Sequence, residues 1–415
     1  MKEILTGINP CLQLKQNKFI LLDLIKKEIN LLGKKNLNKF QGIPKFQTAK
    51  ENTGKVVLST TYNCNLKCNY CYVRGGDLPT KMLNPKVAIK TVDFLLSKSL
   101  DEITIQFFGG EPTLNFECIK GVVDYLNRKK TKTKINYEIS TNGLLPKNYL
   151  NFFVKNKFLF IVSLDGSEEI HNRQRPARNE KINSFQTTKK TIGLILQKTK
   201  RLKIRTTITS NSVEKMADIV KYFSSLGIKL VHFEIFSPLG RGENHLEYRP
   251  DKDRYIKNFI GAYLVAKKLG VQITQFGLFD LFSPSKFTCA SSHKYKFVVM
   301  PDGEILFCLG AQKEFGEIIK EFKLGYCTPE KLSLNEEKAK TLPVKYNVDL
   351  IKKCNKCFIK YICKGICPAL NAVSNRKWNI PDQYSCYIRK GIIRGIILDL
   401  AKEYFNVFNK EKKYK

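Results

Sequence analysis

The sequence predicts an α/β protein: six strand-helix units forming a partial (β/α)6 barrel, followed by a small cysteine-rich domain that contains a β-hairpin. Three observations lead there. Short apolar runs alternate with amphipathic stretches between residues 55 and 235, the pattern of a parallel sheet built by repeated crossovers. Directly after the first apolar run comes Cys64-x3-Cys68-x2-Cys71. A second group of cysteines occupies the C-terminal third, around a Pro301-Asp302-Gly303 turn.

The bulk numbers agree with that plan. A chain of 415 residues has room for a main domain and an appendage, since single cores stop growing at roughly 250 to 300 residues. Hydrophobic residues at 43% and charged residues at 26% suit a globular protein, and the run 158–164 is far too short to span a bilayer. The start, MKEILTGINP, lacks a secretory signal, so the expected location is the cytoplasm. Lys and Arg number 72 against 37 Asp and Glu, a formal charge of +35. That surplus is lysine spread along the whole chain, with no arginine-rich face or nucleic-acid motif, so dedicated nucleic-acid binding is not expected; attraction to an acidic peptide stays open. Thirteen cysteines accompany four histidines, and ten of the cysteines fall in two groups with metal-ligand spacing. In a cytosolic chain such groups favour metal or cluster binding over disulfides.

Residues 1–50 read as an N-terminal extension with one helical pattern, Phe19, Leu22, Ile25, Ile29 and Leu32, and an isolated Cys11. The core, 51–250, carries expected strands at 56–59, 102–107, 135–140, 159–164, 204–209 and 230–235, with helices at 85–97, 116–128, 146–155, 185–199 and 213–225. Cys118 falls on the apolar face of one of these helices and reads as core. Residues 251–282 read as a linking helical segment, 283–390 as the cysteine-rich domain, and 391–415 as a closing helix with a basic tail. Strands 297–300 and 305–307 would flank the Pro301-Asp302-Gly303 turn.

In barrels of this kind functional residues gather at the C-terminal ends of the strands. The second strand ends in Gly109-Gly110-Glu111-Pro112, the third in Ser140-Thr141-Asn142-Gly143, the fourth in Ser163-Leu164-Asp165-Gly166, and the fifth in Thr207, Thr209 and Asn211. Singly these are turns. Together, beside three close cysteines, they offer hydroxyls, amides, carboxylates and bare glycine backbone to one ligand. Three cysteines on a four-iron cluster would also leave one iron without a protein ligand, whereas tetrahedral zinc would need a fourth donor.

From about Lys55 to Ile235 the chain resembles the radical S-adenosylmethionine (SAM) enzymes. The resemblance implies that Cys64, Cys68 and Cys71 hold a catalytic 4Fe-4S cluster whose open iron binds SAM, that Tyr70 packs near the adenine, and that Gly109, Gly110, Glu111 and Pro112 meet the methionine amino group. Ser163 and Asp165 become ribose or carboxylate contacts, with Asn142 as another. Residues 163–176, SLDGSEEIHNRQRP, closely resemble family members that modify peptides and proteins; His171 and Arg175 lie in this segment, where either a site or a structural role is open. A low-potential electron donor such as a flavodoxin or ferredoxin would be a partner.

The C-terminal cysteines resemble the SPASM extension, which carries two auxiliary 4Fe-4S clusters. By that resemblance Cys354, Cys357, Cys363 and Cys386 ligate one cluster, and Cys289, Cys308 and Cys367 hold the other. Some relatives have a further cysteine where Tyr295 stands, so Cys327 is a candidate fourth ligand, with an ordinary buried thiol as the alternative. Leu309 stands where sulfatase-maturing relatives have a catalytic aspartate. The expected function is therefore radical-based oxidation of a peptide or protein to a thioether or other cross-link. The alternatives are a sulfatase-type formylglycine maturase and a non-catalytic zinc- or cluster-containing basic binding protein.

Overall fold

The computed structural model describes residues 2–6, 9–13, 18–23, 28–33, 50–275, 285–287, 293–310 and 318–413. The N-terminal residues form β1 (Lys2–Thr6), β2 (Asn9–Gln13), β3 (Lys18–Asp23) and β4 (Glu28–Gly33), an antiparallel sheet in the order β1-β2-β3-β4. The helical expectation for this stretch is corrected. Lys18 pairs with Gly33 and Asp23 with Glu28, so the apolar quartet 19–22 is a strand that pairs with its neighbour. Apolar runs this short fit either period, and only the pairing partner decides between them. Ile25 lies outside the described residues.

The main sheet contains all six expected strands: β5 (Lys50–Ser59), β6 (Glu102–Phe108), β7 (Lys134–Thr141), β8 (Leu159–Ser163), β9 (Leu202–Ile208) and β10 (Leu230–Ile235). They are mutually parallel and lie side by side in chain order. Between them run α1 (Pro85–Leu96), α2 (Phe116–Arg128), α3 (Lys147–Lys155), α4 (Glu168–Gln174), α5 (Ser184–Lys198) and α6 (Met216–Ser225). Local chemistry sets their starts. Asn84 accepts from Lys86 N at 2.9 Å ahead of Pro85, and Asn183 accepts from Gln186 N at 3.0 Å.

The stretch expected to be a helical linker is a further unit of the sheet. α7 (Lys252–Leu269), capped by Asp251, ends at Gly270 in a left-handed conformation and leads into β11 (Gln272–Gln275), which pairs parallel to β10. At the other edge β12 (His293–Val299) pairs parallel to β5, and its hairpin continues the sheet antiparallel through β13 (Glu304–Leu306), β14 (Lys323–Cys327) and β15 (Leu332–Leu334). The cysteine-rich part is thus joined to the core by main-chain hydrogen bonding. The sheet is open, with β11 and β15 at its edges, and it is concave: residues from β6 through β10 all line one cavity.

On β6 the alternating residues Ile103, Ile105 and Phe107 are fully buried on one face, while Phe108 on the other face lines the cavity. Phe158 is fully buried, with its ring 5.0 Å from Tyr137, 5.0 Å from Phe153 and 5.8 Å from Phe107. A C-terminal helix, Gln383–Lys413, begins earlier than the sequence suggests and packs on α7, where Gly391 and Gly395 face Ile256 and Ile260. Among the described residues no helix is long and apolar enough to cross a membrane. Replacing Phe158 by Ala should cost roughly 3–5 kcal/mol; a fall in the denaturant midpoint of the metal-free chain checks this.

Candidate active site

The loop after β5 is laced to neighbouring strand ends. Thr60 N donates to Phe108 O at 2.8 Å, Gly110 N to Thr61 O at 2.8 Å and Glu111 N to Asn63 O at 2.7 Å. On its other side Lys67 N donates to Pro176 O at 2.8 Å and Asn69 N to Gln174 O at 3.1 Å. This closeness requires the two glycines. A Cβ on Gly110 would stand 2.2 Å from Asn63 O, and one on Gly109, where φ is +145°, would stand 2.5 Å from Thr61 O. They serve the approach of the cysteine loop as well as lining the cavity.

Cys64, Cys68 and Cys71 line one wall of that cavity, whose volume is about 140 Å3. Each sulfur has a donor near it: Leu66 N at 3.4 Å from Cys64 Sγ, Gly75 N at 3.3 Å from Cys71 Sγ, and Arg175 Nη1 at 3.9 Å from Cys68 Sγ. Burial pushes the Cys64 thiol up, and lifts Cys68 to about 12 against the pull of Arg175. Metal binding is what removes protons from such thiols. Among the described residues no three His, Cys, Asp or Glu side chains close around a single-ion position. A set of three thiols, each near a hydrogen-bond donor, fits an iron-sulfur cluster, whose sulfur ligands are commonly hydrogen-bonded.

Tyr70, Gly109, Gly110, Asn142 and Ser163 line the same cavity, with Thr141, Arg175 and Thr207. Asn142 is fixed by its own bonds, donating from Nδ2 to Asn65 Oδ1 at 2.6 Å and accepting at Oδ1 from Leu144 N at 2.9 Å. Glu111, Pro112 and Asp165 are not among the residues that line it. Glu111 is fully buried and accepts from Thr113 Oγ1 at 2.7 Å, Thr141 Oγ1 at 2.8 Å and Asn142 N at 2.8 Å, while Pro112 opens the short turn Pro112–Asn115. Burial raises the Glu111 carboxyl, and these donors oppose the rise.

Asp165 is likewise fully buried. It accepts from Gln174 Nε2 at 2.8 Å, Arg175 Nε at 3.0 Å, Thr207 N at 2.9 Å and the Tyr70 hydroxyl. Burial alone would raise its carboxyl, but the Arg175 charge beside it brings it below the usual range. Arg175 in turn sits 5.2 Å from the centre of the Tyr70 ring, so Tyr70 is clamped between an acceptor and a cation. His171 is buried neutral, pushed down to about 4 by desolvation, and its Nδ1 accepts from Asp165 N at 3.3 Å. It belongs to the structural network.

Beyond this cavity lies a second, of about 310 Å3, lined by Cys308 and Cys367. The two cavities share Tyr72, Arg205, Glu234, Ile235 and Ser237. Arg205 Nη2 donates to Glu234 Oε2 at 2.7 Å, and Glu234 is held down at about 2: burial raises it, but Arg205 outweighs burial. Sequence reasoning missed this pair. Charged residues on strands that otherwise carry apolar and hydroxyl side chains were the available signal.

Cys308 Sγ accepts from Gly310 N at 3.2 Å, and Leu309 faces the second cavity. Cys289 lies outside the described residues. Cys327 is buried in the main core with its sulfur 3.9 Å from Val87 O, beside the start of β13 and not beside Cys308, so it is an ordinary core thiol; Tyr295 is buried against Phe94. Cys354, Cys357, Cys363 and Cys386 come together: the other three thiols help to raise Cys354, Cys363 and Cys386 help to raise Cys357, and Arg389 Nη1 lies 3.6 Å from Cys363 Sγ.

The radical SAM superfamily model matches residues 58–250. An uncharacterised protein of Methanocaldococcus jannaschii is 32% identical over 213 residues, 50% of this chain and 71% of that protein. A cysteine-type anaerobic sulfatase-maturating enzyme of Clostridium perfringens is 24% identical over 323 residues, 73% of this chain and 85% of that enzyme. Among solved structures, anSMEcpe with bound AdoMet and a Cp18Cys peptide superposes with a TM-score of 0.69 at 20% identity, covering 85% of this chain and 99% of that one.

Asp165→Asn would leave the Arg175 guanidinium buried without its counter-charge. A loss of about 3–5 kcal/mol is expected, measured by chemical unfolding of the metal-free variant beside the parent chain.

Proposed function

This chain belongs to the radical SAM superfamily as an enzyme acting on a peptide or protein, and we propose that it oxidises a peptide to a thioether or other cross-link in the cytoplasm. The observation that carries the reading is the pair of joined cavities, one walled by Cys64, Cys68 and Cys71 and the other by Cys308 and Cys367. A 4Fe-4S cluster with SAM, held by Cys64, Cys68 and Cys71, would supply radical chemistry able to take a hydrogen atom from the substrate.

The chain's own residues supply the holding and the shielding. Cys64, Cys68 and Cys71 would ligate the first cluster, with Leu66 N, Gly75 N and Arg175 near the sulfurs. Gly109 and Gly110 give backbone access to the methionine end of SAM, while Asn142, Ser163 and Thr207 offer polar contacts along the strand ends. Glu111 and Asp165 act as positioning residues. Cys354, Cys357, Cys363 and Cys386 would hold one auxiliary cluster, and Cys308, Cys367 and Cys289 the other. In a thioether cross-link the substrate loses one hydrogen atom from carbon, one electron to a one-electron acceptor and one thiol proton.

The second reading is formylglycine formation, favoured by the likeness to sulfatase-maturating enzymes. Leu309 counts against it, since it brings an apolar side chain to the second cavity, where the nearby Glu234 is tied to Arg205.

Anaerobic reconstitution should give about twelve iron per chain, three four-iron clusters, and release 5'-deoxyadenosine and methionine from SAM under reducing conditions. Cys68→Ala should reduce that release to background. Stoichiometric zinc without SAM cleavage would overturn the reading. Conversion of a sulfatase-derived Cys or Ser peptide to formylglycine would replace cross-linking by the second reading.

A further inference from the structure

The two cavities meet at a salt bridge that uses only part of its hydrogen-bonding capacity. Arg205 on β9 and Glu234 on β10 line both cavities, with side chains 33% and 28% exposed. Arg205 donates to Glu234 Oε2 through Nη2 at 2.7 Å, and His232 Nε2 donates to the same oxygen at 3.3 Å. Glu234 Oε1 and Arg205 Nε and Nη1 make no hydrogen bond among the described residues, and all three retain accessible surface. One acceptor and two donors therefore stand side by side, between the wall that carries Cys64, Cys68 and Cys71 and the wall that carries Cys308 and Cys367.

Charge narrows what they can hold. A carboxylate drawn to Arg205 would stand beside Glu234, and an ammonium drawn to Glu234 would stand beside Arg205. Attraction and repulsion then act at nearly equal distances, leaving little to offset the hydration that the ion loses. An uncharged group with a donor and an acceptor on one edge keeps the salt bridge and bonds to both partners. Extended main chain has such an edge, because the N–H and C=O of one residue point to the same side, as in strand pairs that exchange both bonds. A substrate that reaches from the first cavity into the second has to carry its main chain past this point.

We propose that Arg205 and Glu234 clasp the main chain of one extended substrate residue. Glu234 Oε1 accepts from its N–H, and Arg205 Nε or Nη1 donates to its C=O. The clasp fixes where the peptide lies between the two groups of cysteines without reading a side chain. It deepens the peptide-modifying reading and rests on it.

The test uses the full-length reconstituted enzyme with SAM, anaerobic titration calorimetry and four probes that share a phenyl group. These are N-acetylphenylalanine N-methylamide, its analogue with an ester oxygen in place of the phenylalanine N–H, 3-phenylpropanamide and 3-phenylpropanoate. The N-methylamide should bind about tenfold more tightly than its ester analogue, and more tightly than the primary amide or the carboxylate. Glu234→Met should bring the N-methylamide and its ester analogue to equal affinity. So should Arg205→Met combined with Glu234→Met, which leaves no charge without its partner. Equal binding of those two probes to the parent enzyme, no saturable binding of the N-methylamide, or a preference that survives either variant would overturn the clasp. Tighter binding of the primary amide or the carboxylate would overturn it as well. The parent measurement stands even where a variant fails to fold. Release of 5'-deoxyadenosine by the same preparation reports separately on the enzymatic reading. Main-chain selectivity without SAM cleavage would sink that reading and keep the clasp, and cleavage without selectivity would do the reverse.

Discussion

The geometry of the three cysteines depends on a buried carboxylate that never faces the cavity. Glu111 accepts hydrogen bonds from the loop it begins and from the end of β7, while its own main-chain N–H binds Asn63 one residue before Cys64. Side chain and main chain of this one residue therefore tie three strand ends together. Buried polar groups of this kind are stabilising only when every partner is in place, and here the partners are the strand ends that shape the cavity. Asp165 repeats the device on the opposite side, joining the fourth and fifth strand ends to Tyr70 and Arg175.

A second consequence concerns charge. The chain carries a large positive excess, yet three of the four described arginines that line the two cavities bond to acceptors of the protein itself. Arg175 is spent on Asp165 and sits beside a cysteine sulfur, Arg205 is spent on Glu234, and Arg389 bonds to the Cys363 carbonyl at 3.0 Å. The sites are shaped by paired charges and directed donors, and bulk lysine contributes solvation elsewhere. This separation is why the net charge says little about what the cavities bind.

Much of this was legible in the sequence because it is local. The spacing from Cys64 to Cys71, the six apolar runs and the strand-end motifs each need only a few neighbouring residues to be read. The roles of Glu111 and Asp165 were not legible, because a carboxylate at a strand end has the same sequence signature whether it faces a ligand or a neighbouring loop. The N-terminal helix was misread because the run 19–22 is too short to fix a period, and β11 escaped because four residues beside a long helix carry little pattern. The pairing of β12 with β5 joins residues more than two hundred positions apart, which no local rule can reach. The Arg205–Glu234 pair became visible only once burial was known.

The central claim is that Cys64, Cys68 and Cys71 hold a cluster with one iron open to SAM. Electron paramagnetic resonance of the reduced, reconstituted protein, recorded with and without SAM, tests it most directly. One spectral component should change when SAM is added, and that component alone should be missing when the three cysteines are replaced by alanine. A parent spectrum indifferent to SAM, or a SAM-sensitive component that persists without those cysteines, would contradict the account.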